Sequence, residues 1–308
     1  MKIKTFTRLF SLWIVLLTAQ TVLGADDEQY AILNSWEKGS YTLLQECTST
    51  LYKKANAAEA ERDDSRALFN WQIEAGAEGS DGIQKFSMKL LRIMTSVRVN
   101  GREIIYYDSS NGLSRIELLN AIFKQMKETE TIVVFKNGVP MEVLGCENYW
   151  KDIPEPTDDF EKFLLNHMKS FADPDNIKQT FETLVYLDTP NMVAVGDKWT
   201  NKTVLPVPVI GDKTLEWDCS LNKIKRSGGV PLASVTGKGV LNFSVAEPLR
   251  GDVVVKMENS ADYDTKSYYA THVDSRVTVN VKTMSPDSED TEQFYAGFLK
   301  NKLTIAKH

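Results

Sequence analysis

Residues 67–75 read ALFNWQIEA, and apolar side chains occupy every second position of this stretch. Successive side chains of a β-strand point to opposite faces, so a two-residue period gives one buried face and one wet face. Sheets with one face in the core and one in water are typically antiparallel. The stretch therefore predicts an antiparallel strand. Its buried face would carry Ala67, Phe69, Trp71, Ile73 and Ala75.

The same period recurs later in the chain. In residues 214–221, 233–245 and 277–282, apolar residues or glycines alternate with mostly polar side chains. Gly237 and Gly239 fall on the apolar face of the second stretch, which indicates a bend or a close backbone approach. Strands of this kind are expected on both sides of the middle of the chain.

Turns and helices separate these strands. Asn-Gly pairs at residues 100–101 and 137–138 predict two β-hairpins, because Asn and Gly tolerate the positive φ of a tight turn. Apolar residues spaced three or four apart predict helices over residues 114–126, 157–171 and 177–184. The first of these begins with a capping-box pattern, and the second begins with an acidic first turn.

Strands that follow one another without regular alternation with helices predict an α+β protein. We expect a large curved antiparallel β-sheet or an open barrel with two or three helices packed on one face. Residues 25–308 would form a single α+β domain. A weak boundary at residues 150–157, where Pro154 and Pro156 form a linker-like spot, leaves a two-lobed arrangement open.

Residues 1–24 have the pattern of a signal peptide. Three basic residues precede an apolar run over residues 9–17, and the small residue Gly24 precedes an acidic start. The run is shorter than the roughly 20 apolar residues of a transmembrane span. We predict cleavage after Gly24 and export to the periplasm or the extracellular space, with an uncleaved anchor as the alternative. The cleaved chain would be soluble rather than membrane-spanning.

Charge and cysteine content narrow the class of protein. The formal net charge is −6, and basic residues are scattered rather than clustered. Nucleic-acid binding depends on clustered basic charge, so we expect no nucleic-acid partner. Three cysteines, Cys47, Cys146 and Cys219, are too few for a disulfide scaffold. We expect them to be small buried side chains, although a disulfide bond between two of them stays open.

We find no catalytic or metal-binding motif. His167 lies in the apolar stripe of the second predicted helix, where a packing role is favoured over a catalytic one. Adjacent acidic pairs such as residues 158–159 do not face one another, so they are expected to be solvated surface charge. We therefore expect no cofactor and no metal, and we favour a protein that is not an enzyme.

Aromatic residues are the candidates for a binding surface. Four fall on the inner faces of predicted strands and two on the second predicted helix. A curved sheet lined with aromatic rings under a helix can hold an apolar ligand, but a filled core is favoured, because protein interiors normally pack without large voids. The candidate ligand-facing residues are Phe69, Trp71, Trp217, Phe243, Phe160 and Phe163.

Three short motifs give a family resemblance. An early strand contains Trp36, Gly39 and Tyr41, a central hairpin occupies residues 133–145, and a V-G-D-x-W-[ST] step occupies residues 195–200. The last of these is physically a turn followed by an apolar anchor. Together they resemble a family of uncharacterised exported bacterial proteins of unknown function. The resemblance implies an extracytoplasmic setting and gives no functional residue.

Three hypotheses follow. The first is a non-enzymatic exported binding or scaffold protein with an apolar or lipid-like ligand. The second is a hydrolase of cell-surface material, whose carboxylates would converge only in the folded chain. The third is a structural component of an envelope assembly, which exposed apolar strand edges would favour.

Overall fold

The computed structural model describes residues 28–54, 60–112, 114, 116–189, 191–207, 211–245, 251–284 and 292–308. The predicted signal peptide at residues 1–24 and its cleavage site lie outside these residues. No helix within the described ranges is both long enough and apolar enough to cross a membrane.

Strands dominate the described chain. They are β1 (Gly39–Lys54), β2 (Ala60–Ala75), β3 (Ile83–Val99), β4 (Arg102–Asp108), β5 (Thr131–Lys136), β6 (Val139–Leu144), β7 (Lys198–Val207), β8 (Gly211–Ser227), β9 (Val230–Val245), β10 (Gly251–Asp264), β11 (Tyr269–Met284) and β12 (Glu292–Lys307). The α-helices are α1 (Glu117–Glu128), α2 (Asp159–Phe171) and α3 (Pro174–Val185), and short 3-10 helices occupy Ser109–Asn111 and Cys146–Trp150.

All twelve strands belong to one antiparallel sheet. Its order is β6-β5-β3-β2-β1-β12-β11-β10-β9-β8-β7, and β4 pairs with the far end of β3, on the same edge that β5 occupies. Each strand therefore pairs mostly with its neighbour in sequence, and the pairing of β1 with β12 joins the two halves. The sheet is open, because the edge strands β6 and β7 do not pair with one another.

The predicted α+β class is wrong, because the protein is mostly β. About 60% of the residues are in strands and 18% in helices. The sheet is open rather than closed into a barrel. The alternation in the sequence did not predict how long the strands are. Strand β1 has 16 residues, well above the usual five or six. Polar residues such as Gln45 and Ser49 interrupt the apolar face of β1, so its alternation is weak.

The predicted turns and helices are largely confirmed. Asn100 and Asn137 have φ of 49° and 51°, and the glycine after each also has positive φ, as the two hairpins require. The three predicted helices are present with shifted ends. The capping box was wrong, because the N-cap of α1 is Ile116 rather than Ser114. The cysteines are free, with Cys146 and Cys219 buried and Cys47 half-buried.

The core lies on one face of the sheet, which we call the inner face. It is the face that buries Phe69 and Trp71 of β2. Among the described helices, α1 packs on this face, where its Phe123 ring contacts Tyr107 of β4 at 5.3 Å. Helix α3 packs there too, with Phe181 fully buried.

An aromatic cluster fixes α3 to the sheet. The Phe181 ring lies 5.4 Å from Phe135 of β5, 6.1 Å from Phe86 of β3 and 6.4 Å from Trp36. Trp36 in turn contacts Tyr41 of β1 at 4.7 Å. Aromatic pairs at these separations contribute about 0.5–1.5 kcal/mol each beyond area burial. The early Trp36–Tyr41 motif is thus part of the anchor for the helix.

The V-G-D-x-W step forms a turn, as the sequence predicts. Gly196 has φ of 97°, and the Asp197 carboxylate accepts a hydrogen bond from the Ala194 N–H at 2.8 Å. The Gly196 N–H donates to the Leu221 carbonyl of β8 at 2.8 Å. Trp199 is half-buried and packs against the core at the start of β7. This step sets where the second half of the sheet begins.

The glycines of β9 mark a close approach. Gly239 pairs with Trp217 of β8, and a Cβ at this position would lie 2.9 Å from Leu215 Cδ1 and 3.0 Å from the Glu216 carbonyl oxygen. Gly297 of β12 differs, because the atom nearest to an added Cβ is Val279 Cβ at 3.9 Å. The two glycines therefore form a matched pair for testing the packing.

We expect Gly239→Ala to destabilise the protein by about 1–3 kcal/mol, since overpacking a closed site forces neighbouring groups apart. Gly297→Ala should be neutral or stabilise by roughly 0.5–1 kcal/mol, because alanine loses less backbone entropy on folding. Urea unfolding followed by circular dichroism measures both. Equal effects of the two substitutions would contradict the close approach at Gly239.

Candidate functional site

A cavity of about 310 Å³ lies between α3 and the inner face of the sheet. Its floor is formed by β1, β2, β10, β11 and β12, which become neighbours through the β1–β12 pairing. We call it the α3 cavity. It is lined by Gln45, Cys47, Phe69, Trp71, Asn176, Ile177, Gln179, Thr180, Thr183, Tyr186, Met257, Ser275, Val277, Leu299 and Asn301.

Two stacked aromatic rings form one wall. Phe69 and Trp71 are two residues apart on β2, so both side chains point to the inner face. Their ring centroids lie 5.9 Å apart with an interplanar angle of 17°. Phe69 is 3% exposed and Trp71 4%, so the rings are held by packing before any ligand arrives.

Helix α3 forms the roof. It begins at the cap residue Asp173, whose carboxylate accepts the Asp175 N–H at 2.8 Å, and Pro174 follows in the first turn. At its other end the Tyr263 hydroxyl of β10 donates to the Leu184 carbonyl at 3.0 Å. The Tyr263 hydrogen bond and the buried Phe181 hold α3 against the sheet.

A few neutral polar groups face the cavity. The Gln45 amide donates to the Thr180 hydroxyl of α3 at 3.0 Å, which ties the floor to the roof. Cys47 lies between Gln45 and Asn301, with its Sγ 3.5 Å from the Gln45 amide nitrogen and 3.5 Å from Asn301 Oδ1. On β11, the Ser275 hydroxyl donates to Asn259 at 2.6 Å.

Electrostatics make the cavity unsuited to acid–base chemistry. The described residues that line it include no Asp, Glu, His, Lys or Arg. Burial raises the pKa of the Cys47 thiol to about 11, so this thiol is protonated at neutral pH and is a poor nucleophile. The cavity offers van der Waals contact and neutral hydrogen bonds, and it supplies none of the paired carboxylates that a glycoside hydrolase needs.

The structure separates the six aromatic candidates. Phe69 and Trp71 line the cavity. Trp217 is fully buried behind it and stacks at 5.4 Å on Tyr186, which does line the cavity. Phe243 is half-buried on β9, outside the lining.

The two candidates on α2 lie elsewhere. Phe160 is 39% exposed and Phe163 47% exposed, and neither lines the cavity. The Phe163 ring stacks on His167 at 5.9 Å, and burial lowers the pKa of His167. This half-buried position agrees with the predicted packing role of that histidine.

Sequence reasoning missed the lining residues of β1, β10 and β12 and the roof residues of α3. Cys47 and Asn301 are 254 positions apart and meet only because β1 pairs with β12. The apolar period of residues 277–282 did include one lining residue, Val277 of β11. Periodicity shows which face a residue occupies and says nothing of which strand lies beside it.

A second cavity, of about 560 Å³, lies beside the end of α3 and the edge strand β7. It contains Asp188, whose carboxylate accepts the Asn34 N–H at 3.0 Å. Burial raises the pKa of the Asp188 carboxyl well above its usual value, and the hydrogen bond from the Asn34 N–H offsets this only in part. An ionised Asp188 therefore costs folding free energy.

Residues 81–262 match the model of a family of unknown function, DUF6263. The chain belongs to this family. As the resemblance implied, no activity is established for it. The matched region contains the three α-helices and strands β3 to β9, whereas Phe69 and Trp71 of the cavity wall precede it. No curated protein matches the chain.

Several solved structures share a broad likeness with the chain. Lipovitellin matches at a TM-score of 0.47 and 8% identity over 89% of this chain and 26% of its own, so the chain spans about a quarter of it. DynF of Micromonospora chersina matches at 0.21 and 6% identity, over 90% and 85%. An outer membrane channel of Pseudomonas putida F1 matches at 0.21 and 8%, over 89% and 98%. At these values the likeness carries no argument about function.

We expect Asp188→Asn to stabilise the protein at neutral pH. A folded-state pKa above the unfolded value, about 3.9, means that the carboxyl favours folding at low pH and that this contribution is lost as the pH rises through the folded-state pKa. Asparagine stays neutral, and its Oδ1 can still accept the Asn34 N–H.

The free energy of unfolding of Asp188→Asn minus that of the native protein should therefore grow between about pH 4 and pH 8, by about 1 kcal/mol or more. Urea unfolding at both pH values measures it. A variant destabilised equally at both would show that the carboxylate contributes a hydrogen bond and no charge penalty.

Proposed function

We propose that this protein is an exported, non-enzymatic binding protein that holds an uncharged, apolar or lipid-like molecule in the α3 cavity. The observation that carries the proposal is the lining of the cavity: stacked aromatic rings and aliphatic side chains, a few neutral hydrogen-bonding groups, and no charged group among the described lining residues. Ligand sites are typically apolar cavities of about 300–1,000 Å³ with a few placed polar groups.

The proposed location rests on the sequence. The basic and apolar pattern of residues 1–24 supports export, with cleavage after Gly24 and release of a soluble chain to the periplasm or the extracellular space. An apolar molecule released outside the cytoplasm needs a protein surface to shield it from water, which fits a binding role there.

Binding would work by desolvation and orientation. An apolar group placed against Phe69, Trp71 and Val277 leaves water, which contributes about 0.8 kcal/mol per buried methylene. Neutral donors and acceptors at Gln45 and Asn301 would orient one polar group of the ligand. A charged group placed inside would lose its hydration without a counter-charge, so the lining selects against it.

We expect Val277→Trp to weaken binding strongly, because the larger ring occupies part of the α3 cavity. Val277 is half-buried, so the indole also has room to adjust without unfolding the sheet. The matched control is Val240→Trp, at a position 56% exposed on the opposite face of β9. The probe is N-phenyl-1-naphthylamine, an uncharged dye whose fluorescence rises in apolar sites.

Titration of the native protein and of Val240→Trp should give saturable binding of one dye per chain. Val277→Trp should bind at least about tenfold more weakly, a loss of about 1.4 kcal/mol. Native mass spectrometry without detergent provides an independent measurement, in which an added mass of lipid size should be lost on denaturation. Equal dye binding by the native protein and both variants, or dye binding that never saturates, would contradict the proposal.

The envelope-assembly hypothesis is a second candidate, favoured by one observation. Val139 and Met141 are 48% and 54% exposed and lie two residues apart on the edge strand β6. An exposed apolar edge strand is a template for pairing with another chain. Self-association that Met141→Lys abolishes in sedimentation velocity would support it, and a monomer at every protein concentration would count against it.

A further inference from the structure

We propose that the ligand of the α3 cavity has a long hydrocarbon chain, which leaves the cavity at Val277 and Leu299 and lies along the inner face of β9–β12. This inference rests on the proposed function and adds the class of ligand and its path. A dry cavity of about 150 Å³ is enough for benzene, so 310 Å³ accommodates only the first part of such a chain.

The register of the strands places two apolar rows beyond the cavity. The first row, Met257, Val277 and Leu299, belongs to the cavity wall. The second row is Leu241, Val255, Val279 and Gly297. The third row is Phe243, Val253 and Val281. Successive rows are two residues apart, so the surface extends about 14 Å past the first row.

The rows form a continuous apolar surface on the inner face, whereas apolar residues on the opposite face, such as Val240 and Phe298, are interspersed with polar ones. Thr278, Asn280 and Lys282 alternate with the valines of β11 and point to the opposite face. Val279 and Val281 are half-buried, and Leu299 is 47% exposed, so part of each side chain is open to a ligand. A sheet face that is exposed only to water is normally polar. The apolar residues of the second and third rows therefore indicate that this part of the inner face contacts an apolar group.

Polar groups on β1 and β2 border the apolar rows on one side. They set the direction in which the hydrocarbon chain would run. In the first row, β1 and β2 carry Ser49 and Ser65, whose hydroxyls are hydrogen-bonded at 2.6 Å. In the second row they carry Leu51 opposite Asp63. A hydrocarbon chain that leaves the cavity would avoid these hydroxyls and this carboxylate, and it would follow β9–β12 instead.

A hydrocarbon chain fits this surface better than a peptide does. Strands β10, β11 and β12 each pair with a neighbour on both sides, so the sheet ladder uses their backbone groups. A peptide laid flat on the face would bury its own amides without partners, at a cost of several kcal/mol. A hydrocarbon chain carries no such groups. Phe243, a candidate from the sequence that lies outside the cavity, would contact the far end of the chain.

The test uses neutral monoacylglycerols with octanoyl, decanoyl, dodecanoyl or tetradecanoyl chains, which displace N-phenyl-1-naphthylamine from the purified protein below their aggregation concentrations. Affinity should rise by about threefold to fourfold per methylene through the whole series, since each further methylene leaves water. Val279→Asp should weaken tetradecanoyl binding at least about tenfold and leave octanoyl binding within about twofold, because only the longer chain reaches the second row.

Two variants keep the outcome interpretable. Val240→Asp places the same charge on the opposite face and should change neither affinity. Val279→Thr is a milder substitution, and it should shift the tetradecanoyl affinity in the same direction if Val279→Asp proves too unstable to purify.

The two proposals fail in different ways. An affinity that stops rising after decanoyl and is unchanged by both Val279 variants would overturn the path along β9–β12 while leaving the cavity as the binding site. If no monoacylglycerol displaces the dye and the dye itself does not bind, the proposed function and this inference both fall.

Discussion

The antiparallel pairing of β1 with β12 joins the two ends of the described chain, from Tyr41 opposite Lys307 to Lys54 opposite Phe294. Each half of the sheet is built from neighbours in sequence, and this one non-local pairing makes them a single surface. The floor of the α3 cavity crosses the seam, because Cys47 lies on one side and Asn301 on the other. Closing so long a loop costs chain entropy, which the fourteen paired positions and the core beneath them must offset.

Helix α3 depends on this surface, and the cavity depends on α3. An isolated helix of 12 residues is marginal in water, so tertiary contacts must hold it in place. The Phe181 ring supplies them from one side through Phe86 and Phe135, and Tyr263 fixes the far end through the Leu184 carbonyl. On the same helix, Thr180 and Thr183 line the cavity, and the Thr180 hydroxyl accepts a hydrogen bond from the Gln45 amide of the sheet. The cavity is the space enclosed between this face of α3 and the sheet.

The distribution of polarity over the inner face connects the site with its proposed ligand. Neutral polar groups gather under α3, around Gln45 and Asn301, and apolar rows continue from Val277 along β9–β12. Such an arrangement suits an amphiphile, with a neutral polar group at the amides and a hydrocarbon chain on the valines. The Asp188 carboxylate lies outside this path, and its raised pKa is a cost of folding that the cavity does not use.

The sequence by itself determined the local structure: the alternating strands, the Asn-Gly hairpins, the approximate helices and the inward direction of Phe69 and Trp71. Each follows from side chains close together in sequence, whose spacing sets a face or a turn. It failed on β1, where Gln45 and Ser49 stand at inner-face positions, and so it underestimated the sheet and favoured an α+β fold. Only the tertiary structure decided that β12 lies beside β1, that Trp217 belongs to the core, and that Phe160 and Phe163 face solvent. The physical reason is that strand pairing and helix docking depend on contacts between distant residues, and periodicity records only which face a residue occupies.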